Sequence, residues 1–136
     1  MDFSCVRTDS KGQYYMKYNK PFSFAERIQL LERSILVNSF AYYILNDNIL
    51  SDFQYDDNAK DLAELKKKYP EDFKRSRYFE YFKDYCSDDD TVFTSGFDLL
   101  EKVRKADYDL YSRLHEDASM ALRLKYKMKE RRDVHV

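Results

Sequence analysis

Glycine and proline are almost absent from this chain. It carries two of each in 136 residues, where average usage is about 7% and 5%. Sandwiches, barrels and glycine-rich phosphate loops need more turn residues than that, so the shortage excludes them and favours an all-α fold. Tryptophan is missing altogether, and histidine and cysteine occur twice each. Cys5 and Cys86 are far apart and fit no metal-ligand spacing, so reduced thiols without a metal are expected. No run of apolar residues approaches the roughly 18 needed to cross a bilayer. The start, Met-Asp-Phe-Ser-Cys-Val-Arg, has no apolar core of a signal peptide, and a cytoplasmic location without membrane contact is expected. A charge excess is lacking too: 24 Lys+Arg face 25 Asp+Glu. No global field recruits nucleic acid or imitates it.

Aromatic side chains are abundant instead, with 13 Tyr and 10 Phe. They supply core volume, and each tyrosine brings a hydroxyl that needs a partner or water. At this length a single domain is expected, read as an arm or hairpin over 1–22 and a helical domain over 23–136. In residues 1–22, Thr8-Asp9-Ser10-Lys11-Gly12 is a turn signal between Phe3–Arg7 and Gln13–Tyr18. A short β-hairpin and an ordered arm without regular structure fit this stretch equally.

The helical part begins with Ser23-Phe24-Ala25-Glu26, a capping box. Apolar residues at Phe24, Ile28, Leu31 and Ile35, continued by Phe40, Ile44 and Leu45, predict a helix of roughly six turns. Asn46-Asp47-Asn48 should end it, because short polar side chains bond the backbone and tolerate left-handed geometry. Ile49-Leu50 reads as a buried plug in the turn. Ser51 and Gln54 form a second capping box, opening a helix that runs to Tyr69 and stops at Pro70. Lys66, Lys67 and Lys68 suit the negative end of its dipole. A third helix is predicted over Ser76–Tyr85. The acidic Ser87-Asp88-Asp89-Asp90 that follows fails as a calcium loop, since Phe93 stands where its glycine should be. From Ser95-Gly96-Phe97-Asp98 one long helix of about 35 residues is predicted, spanning ~50 Å with a bend or break near Glu116-Asp117. Its apolar positions are Leu99, Val103, Ala106, Leu110, Leu114, Ala118, Ala121 and Leu124, and it offers a surface for oligomer contacts. Its end carries Lys125, Lys127, Lys129, Arg131 and Arg132, a frayed cationic terminus or a phosphate-contacting tail.

Candidate chemistry concentrates at Tyr42–Asp56. Two tyrosines close the first helix, and Asp52, Tyr55 and Asp56 share one face at the start of the second. In an antiparallel hairpin these aromatic and acidic groups meet beside the turn. His115 and His135 have no Cys or Ser partner at recognisable spacing and are read as solvated or core-edge. No catalytic constellation and no metal site are apparent.

The pattern Tyr42-Tyr43-Ile44-Leu45, a short turn, Ser51-Asp52-Phe53-Gln54-Tyr55-Asp56 and the stop Tyr69-Pro70-Glu71 resembles the N-terminal helical subdomain of bacterial NAD-dependent DNA ligases. The likeness covers residues 28–72 and, as an element, the hairpin 23–72. It implies a site for the nicotinamide end of NAD or nicotinamide mononucleotide. Tyr42 and Tyr43 would supply aromatic faces, and Asp52, Tyr55 and Asp56 would bond the amide, ribose or phosphate surroundings. The family's Lys-x-Asp-Gly nucleophile is absent, since Gly12 follows Lys11 and Gly96 follows Ser95. The likeness is lost from residue 73 onward. The expected function is therefore a non-catalytic nicotinamide-nucleotide module. The alternatives are a small phage or mobile-element protein that binds and inhibits a host protein, and a nucleic-acid accessory acting through the basic tail.

Overall fold

The computed structural model describes residues 6–8, 14–16, 23–85 and 96–134, with side-chain surroundings for 23–85 and 96–131. Cys5, Cys86, His135 and the acidic 87–90 stretch lie outside the described residues, as do Ser95, the Arg132 side chain and most of the 8–12 turn. The fold is all-α apart from one small hairpin. Strands β1 (Val6–Thr8) and β2 (Tyr14–Met16) pair antiparallel, with Val6 opposite Met16 and Thr8 opposite Tyr14. Of the two readings of the N-terminal stretch, the hairpin is the one found.

Helix α1 (Phe24–Tyr43) is the centre of the fold. It packs against α2 (Asp52–Lys68), α3 (Pro70–Lys74), α5 (Gly96–Ala106) and α6 (Tyr108–Val134), while α4 (Phe79–Phe82) touches α5. Enclosure on several sides explains why every residue from Ser34 to Ala41 is buried, polar ones included. Ile28, Leu31, Ile35, Leu36 and Phe40 meet Leu62, Phe82, Leu99, Val103 and Leu114 in one core. Each such side chain contributes about 1.5–3 kcal/mol by leaving water.

The hairpin follows the local signals. The Ser23 hydroxyl accepts the Glu26 N–H at 3.1 Å. Glu26 returns to that hydroxyl at 3.3 Å and not to the backbone, so the first box is half formed. The second is complete: Ser51 Oγ accepts from Gln54 N, and Gln54 Oε1 accepts from Ser51 N. Asn46 adopts φ 56°, the left-handed geometry that terminates α1. Pro70 ends α2 and also opens α3 as its first residue, where its missing N–H costs nothing. Ile49 and Leu50 are half-buried.

Two expectations fail. The helix predicted over Ser76–Tyr85 shrinks to the single turn of α4. The Ser76 hydroxyl donates to the buried Glu32 carboxylate and accepts from Tyr78 N, so it does not cap a helix. The Lys66 ammonium takes the Phe82 and Tyr85 carbonyls at 2.8 and 2.5 Å. Lys66 thus satisfies a neighbour's backbone and does more than face its own helix dipole. The long C-terminal helix breaks at Asp107, about ten residues before the expected place. Asp107 N–H still bonds Val103 O at 2.7 Å, and its carboxylate then accepts from Leu110 N at 3.0 Å. It closes α5 and caps α6. Ala106 and Leu124 are exposed, not core. His115 lies at the core edge, its ring stacked 5.2 Å from Phe40.

Candidate functional site at the end of the helical hairpin

The close of α1, the 44–51 turn and the first turns of α2 enclose a cavity of about 350 Å³. Tyr42, Tyr43, Asp52, Tyr55 and Asp56 all line it, together with Asn38, Ser39, Asn48, Ile49 and Leu50. All five residues singled out in the sequence are therefore brought together. Residues three and four apart on each helix share a face, and the turn sets the two faces opposite one another.

The wall is ordered by contacts from several elements. Tyr42 and Tyr43 meet edge to face, with centroids 4.9 Å apart, and the Tyr43 ring also meets Phe97 of α5 at 6.0 Å. Both tyrosines remain exposed. Burial, reinforced by nearby Tyr55, Tyr42 and Asp98, pushes the Tyr43 hydroxyl above its ordinary pKa, so it stays a neutral donor. The Tyr55 hydroxyl shares hydrogen bonds with Ser39 Oγ at 3.1 Å and Tyr85 hydroxyl at 3.2 Å. Asp52 and Asp56 are exposed, and among the described residues neither has a hydrogen-bonding or ionic partner. Their acceptor capacity is open.

Asn38, Ser39 and Gly96 escaped the sequence reading. Asn38 is buried, donates to Ser34 O at 2.7 Å and leaves its Oδ1 without a partner. Asn38 and Ser39 precede Tyr42 and Tyr43 by one turn, a spacing that could have flagged them. Gly96 opens α5 against this wall. A Cβ there would lie 2.5 Å from Ser39 Oγ and 3.0 Å from the Tyr43 ring, so the close approach requires glycine.

Helix α6 reaches the rim. Tyr126 donates its hydroxyl to Asp47 Oδ2, Lys125 donates to Asn48 O, and Lys125 stands 3.7 Å from Asp47 Oδ1. Lys125 is thereby engaged within the chain and is not a free member of the basic tail. Lys127, Lys129 and Arg131 are exposed. Among the described residues no group of His, Cys, Asp and Glu is arranged to hold a metal. No helix among them is long and apolar enough to cross a membrane.

Comparison with known proteins places the cavity in a recognised segment. Residues 21–76 match the family model described as DNA ligase-like, N-terminal NAD+-binding domain. A DNA ligase of Petrotoga mobilis is 45% identical over 51 residues, which are 38% of this chain and 8% of the ligase. One of Thermosipho africanus is 46% identical over 48 residues, 35% of this chain and 7% of the ligase. One of Porphyromonas gingivalis is 40% identical over 47 residues, again 35% and 7%. The chain thus spans less than a tenth of the length of these curated relatives. The resemblance carried by Tyr42–Asp56 is borne out and extends a little beyond the expected 28–72. No solved structure matches the chain.

Proposed function

We propose that this chain is a non-catalytic binding module that takes the nicotinamide end of NAD+ or nicotinamide mononucleotide in the hairpin cavity. The observation that carries this reading is the convergence of Tyr42, Tyr43, Asp52, Tyr55 and Asp56 on one cavity inside the segment that matches the NAD+-binding domain model. The chemistry fits. A cationic nicotinamide ring is attracted to a tyrosine face. Asp52 and Asp56 accept ribose hydroxyls and offset the ring charge, and nothing within the described chain competes for them. Tyr55 is held by Ser39 and Tyr85, so its ring and hydroxyl are positioned before a ligand arrives. A cavity of about 350 Å³ is at the small end of the roughly 300–1,000 Å³ of ligand sites, which suits half of a dinucleotide. A non-catalytic role is supported by the missing Lys-x-Asp-Gly nucleophile.

Calorimetric titration tests it. Nicotinamide mononucleotide and NAD+ should bind with similar, modest affinity, micromolar to millimolar or about −4 to −8 kcal/mol, and adenosine monophosphate should not bind. The reading fails if saturating nicotinamide mononucleotide moves no amide resonance between 38 and 56.

A second reading rests on Phe53, which is 73% exposed in the first turn of α2, and on the exposed Ile44. Large apolar side chains left in water beside the cavity suit a protein partner. On this reading the same end of the hairpin docks a protein, for example a host factor. Titration separates the two, because a docking face gives no response to the nucleotide.

A further inference from the structure

A second cavity, of about 490 Å³, lies between α1, the turn before α4 and α6. Three arginines from three separate elements line it: Arg33 of α1, Arg77 of the turn, and Arg113 of α6. A neighbouring cavity of about 300 Å³ shares Arg33, Arg77 and Tyr78 with it. Arg33 stands nine residues before Tyr42, so it faces the opposite side of α1 and lies about 13 Å along its axis. The nicotinamide reading and this site are independent.

The charges there are not balanced internally. Arg33 is held by Asp117 at 2.5 Å. Asp107 also lines the cavity, and its carboxylate is committed to the Leu110 N–H. Arg77 and Arg113 are exposed, and among the described residues neither guanidinium has a hydrogen bond or an ion pair. Only the Arg77 backbone is engaged, donating to Gln29 Oε1 at 3.3 Å. Three cations therefore meet Asp107 and Asp117, with Glu26 in the neighbouring cavity, and two planar forks with five N–H donors each are left to water. Like charges on one cavity wall repel, weakly where they are exposed to water, and an anion between them turns that repulsion into attraction. A guanidinium fork matches phosphoryl oxygens in pairs, which a lysine cannot do. The half-buried Tyr81 also lines the cavity. Its hydroxyl pKa is raised by burial and by Asp107, which keeps it a donor at neutral pH.

We propose that the cavity formed by Arg33, Arg77 and Arg113 binds a small phosphoryl-bearing anion, with Arg77 and Arg113 gripping the oxygens and Arg33, braced by Asp117, forming the back wall. The volume admits a diphosphate or a short phosphorylated compound.

Inorganic pyrophosphate is the probe, titrated calorimetrically into the full chain. Wild-type protein should bind it, more weakly as ionic strength rises. The Arg77→Ala/Arg113→Ala variant, altered only at exposed positions, should keep its circular dichroism and lose affinity by about tenfold or more, as loss of charge-assisted pairs demands. Arg77→Lys/Arg113→Lys should also lose several-fold, and Lys129→Ala, at an exposed position outside this cavity, should bind as wild type. No pyrophosphate binding, unchanged binding by the alanine variant, or full binding by the lysine variant would each overturn the proposal. So would duplex DNA bound at these arginines that pyrophosphate cannot displace, which would make the face a nucleic-acid contact.

Discussion

The Tyr126 hydroxyl donates to the Asp47 carboxylate across 79 positions of sequence, tying the far part of α6 to the turn that rims the hairpin cavity. That bond comes first among the influences that hold the Asp47 carboxyl below its ordinary pKa of 3.8, with the Asn48 N–H and Lys125 adding to it. Tyr126→Phe should let the Asp47 pKa rise toward that value, readable by carboxyl-carbon NMR. Freeing the turn should also weaken nicotinamide mononucleotide binding several-fold if the rim is part of the site. An unmoved Asp47 titration would show that the contact does not persist in solution.

Tyr42→Ala removes an aromatic face and Asp56→Ala a charged acceptor. Each should weaken nicotinamide mononucleotide binding, by about 1.5–3 kcal/mol for the carboxylate, with the helical spectrum intact. Equal affinity in both variants would remove these residues from the site.

Gly96→Ala places a methyl against Ser39 Oγ and the Tyr43 ring. The contact is too close to persist, so α5 or the cavity wall must shift, at a cost of about 1–3 kcal/mol. Urea unfolding should show the loss, and titration should show weaker nucleotide binding. An unchanged urea midpoint would mean that the wall yields freely.

Glu32 is fully buried between Ser76 and the core, and one carboxylate oxygen has no partner. Burial raises its pKa from 4.5 to about 7, against the smaller opposing effects of Ser76 and Lys66. The folded protein therefore holds this proton more tightly than the unfolded chain. The folded state is not penalised below about pH 4.5 and loses stability as pH rises through 7. Glu32→Gln keeps an acceptor for Ser76 and abolishes the charge. It should be more stable than wild type by on the order of 3 kcal/mol at pH 8 and nearly equal at pH 4. A difference that does not vary with pH would refute the assignment.

Phe40 is buried beneath Tyr111 and His115. Phe40→Ala should cost about 3–5 kcal/mol in urea unfolding because it opens a large cavity. A loss below 1 kcal/mol would indicate a core that collapses around the gap.

What could be read in advance was whatever the chain determines within a few residues. Ser51 with Gln54, Asn46 in its left-handed geometry and Pro70 act on their immediate neighbours, so the hairpin and its five facing residues are legible in the sequence alone. The failures have the opposite character. Lys66 caps carbonyls 16 and 19 residues away, and Ser76 serves a carboxylate 44 residues back. Such partners leave no trace in local periodicity, so the third helix was overdrawn. Asp107 was readable as a cap but sits inside a helical run of apolar spacing that masked it. Asn38 and Ser39 carry no such capping signal, and polar residues inside an apolar helix look incidental until neighbouring helices enclose them.

The line Ser39–Tyr55–Tyr85 has a consequence for polarity. Each of the three hydroxyls owns one proton, and Tyr55, in the middle, can give its proton to only one neighbour at a time. When Tyr55 donates to one neighbour and both bonds are made, the other neighbour donates to Tyr55, and the protons then run the same way along the line. A ligand that takes the Ser39 proton favours the line that runs toward the cavity, with Tyr55 donating to Ser39 and Tyr85 to Tyr55. Each bond polarises the next. In that arrangement an acceptor in the cavity bears on the buried Tyr85 hydroxyl through the positions of hydrogens alone.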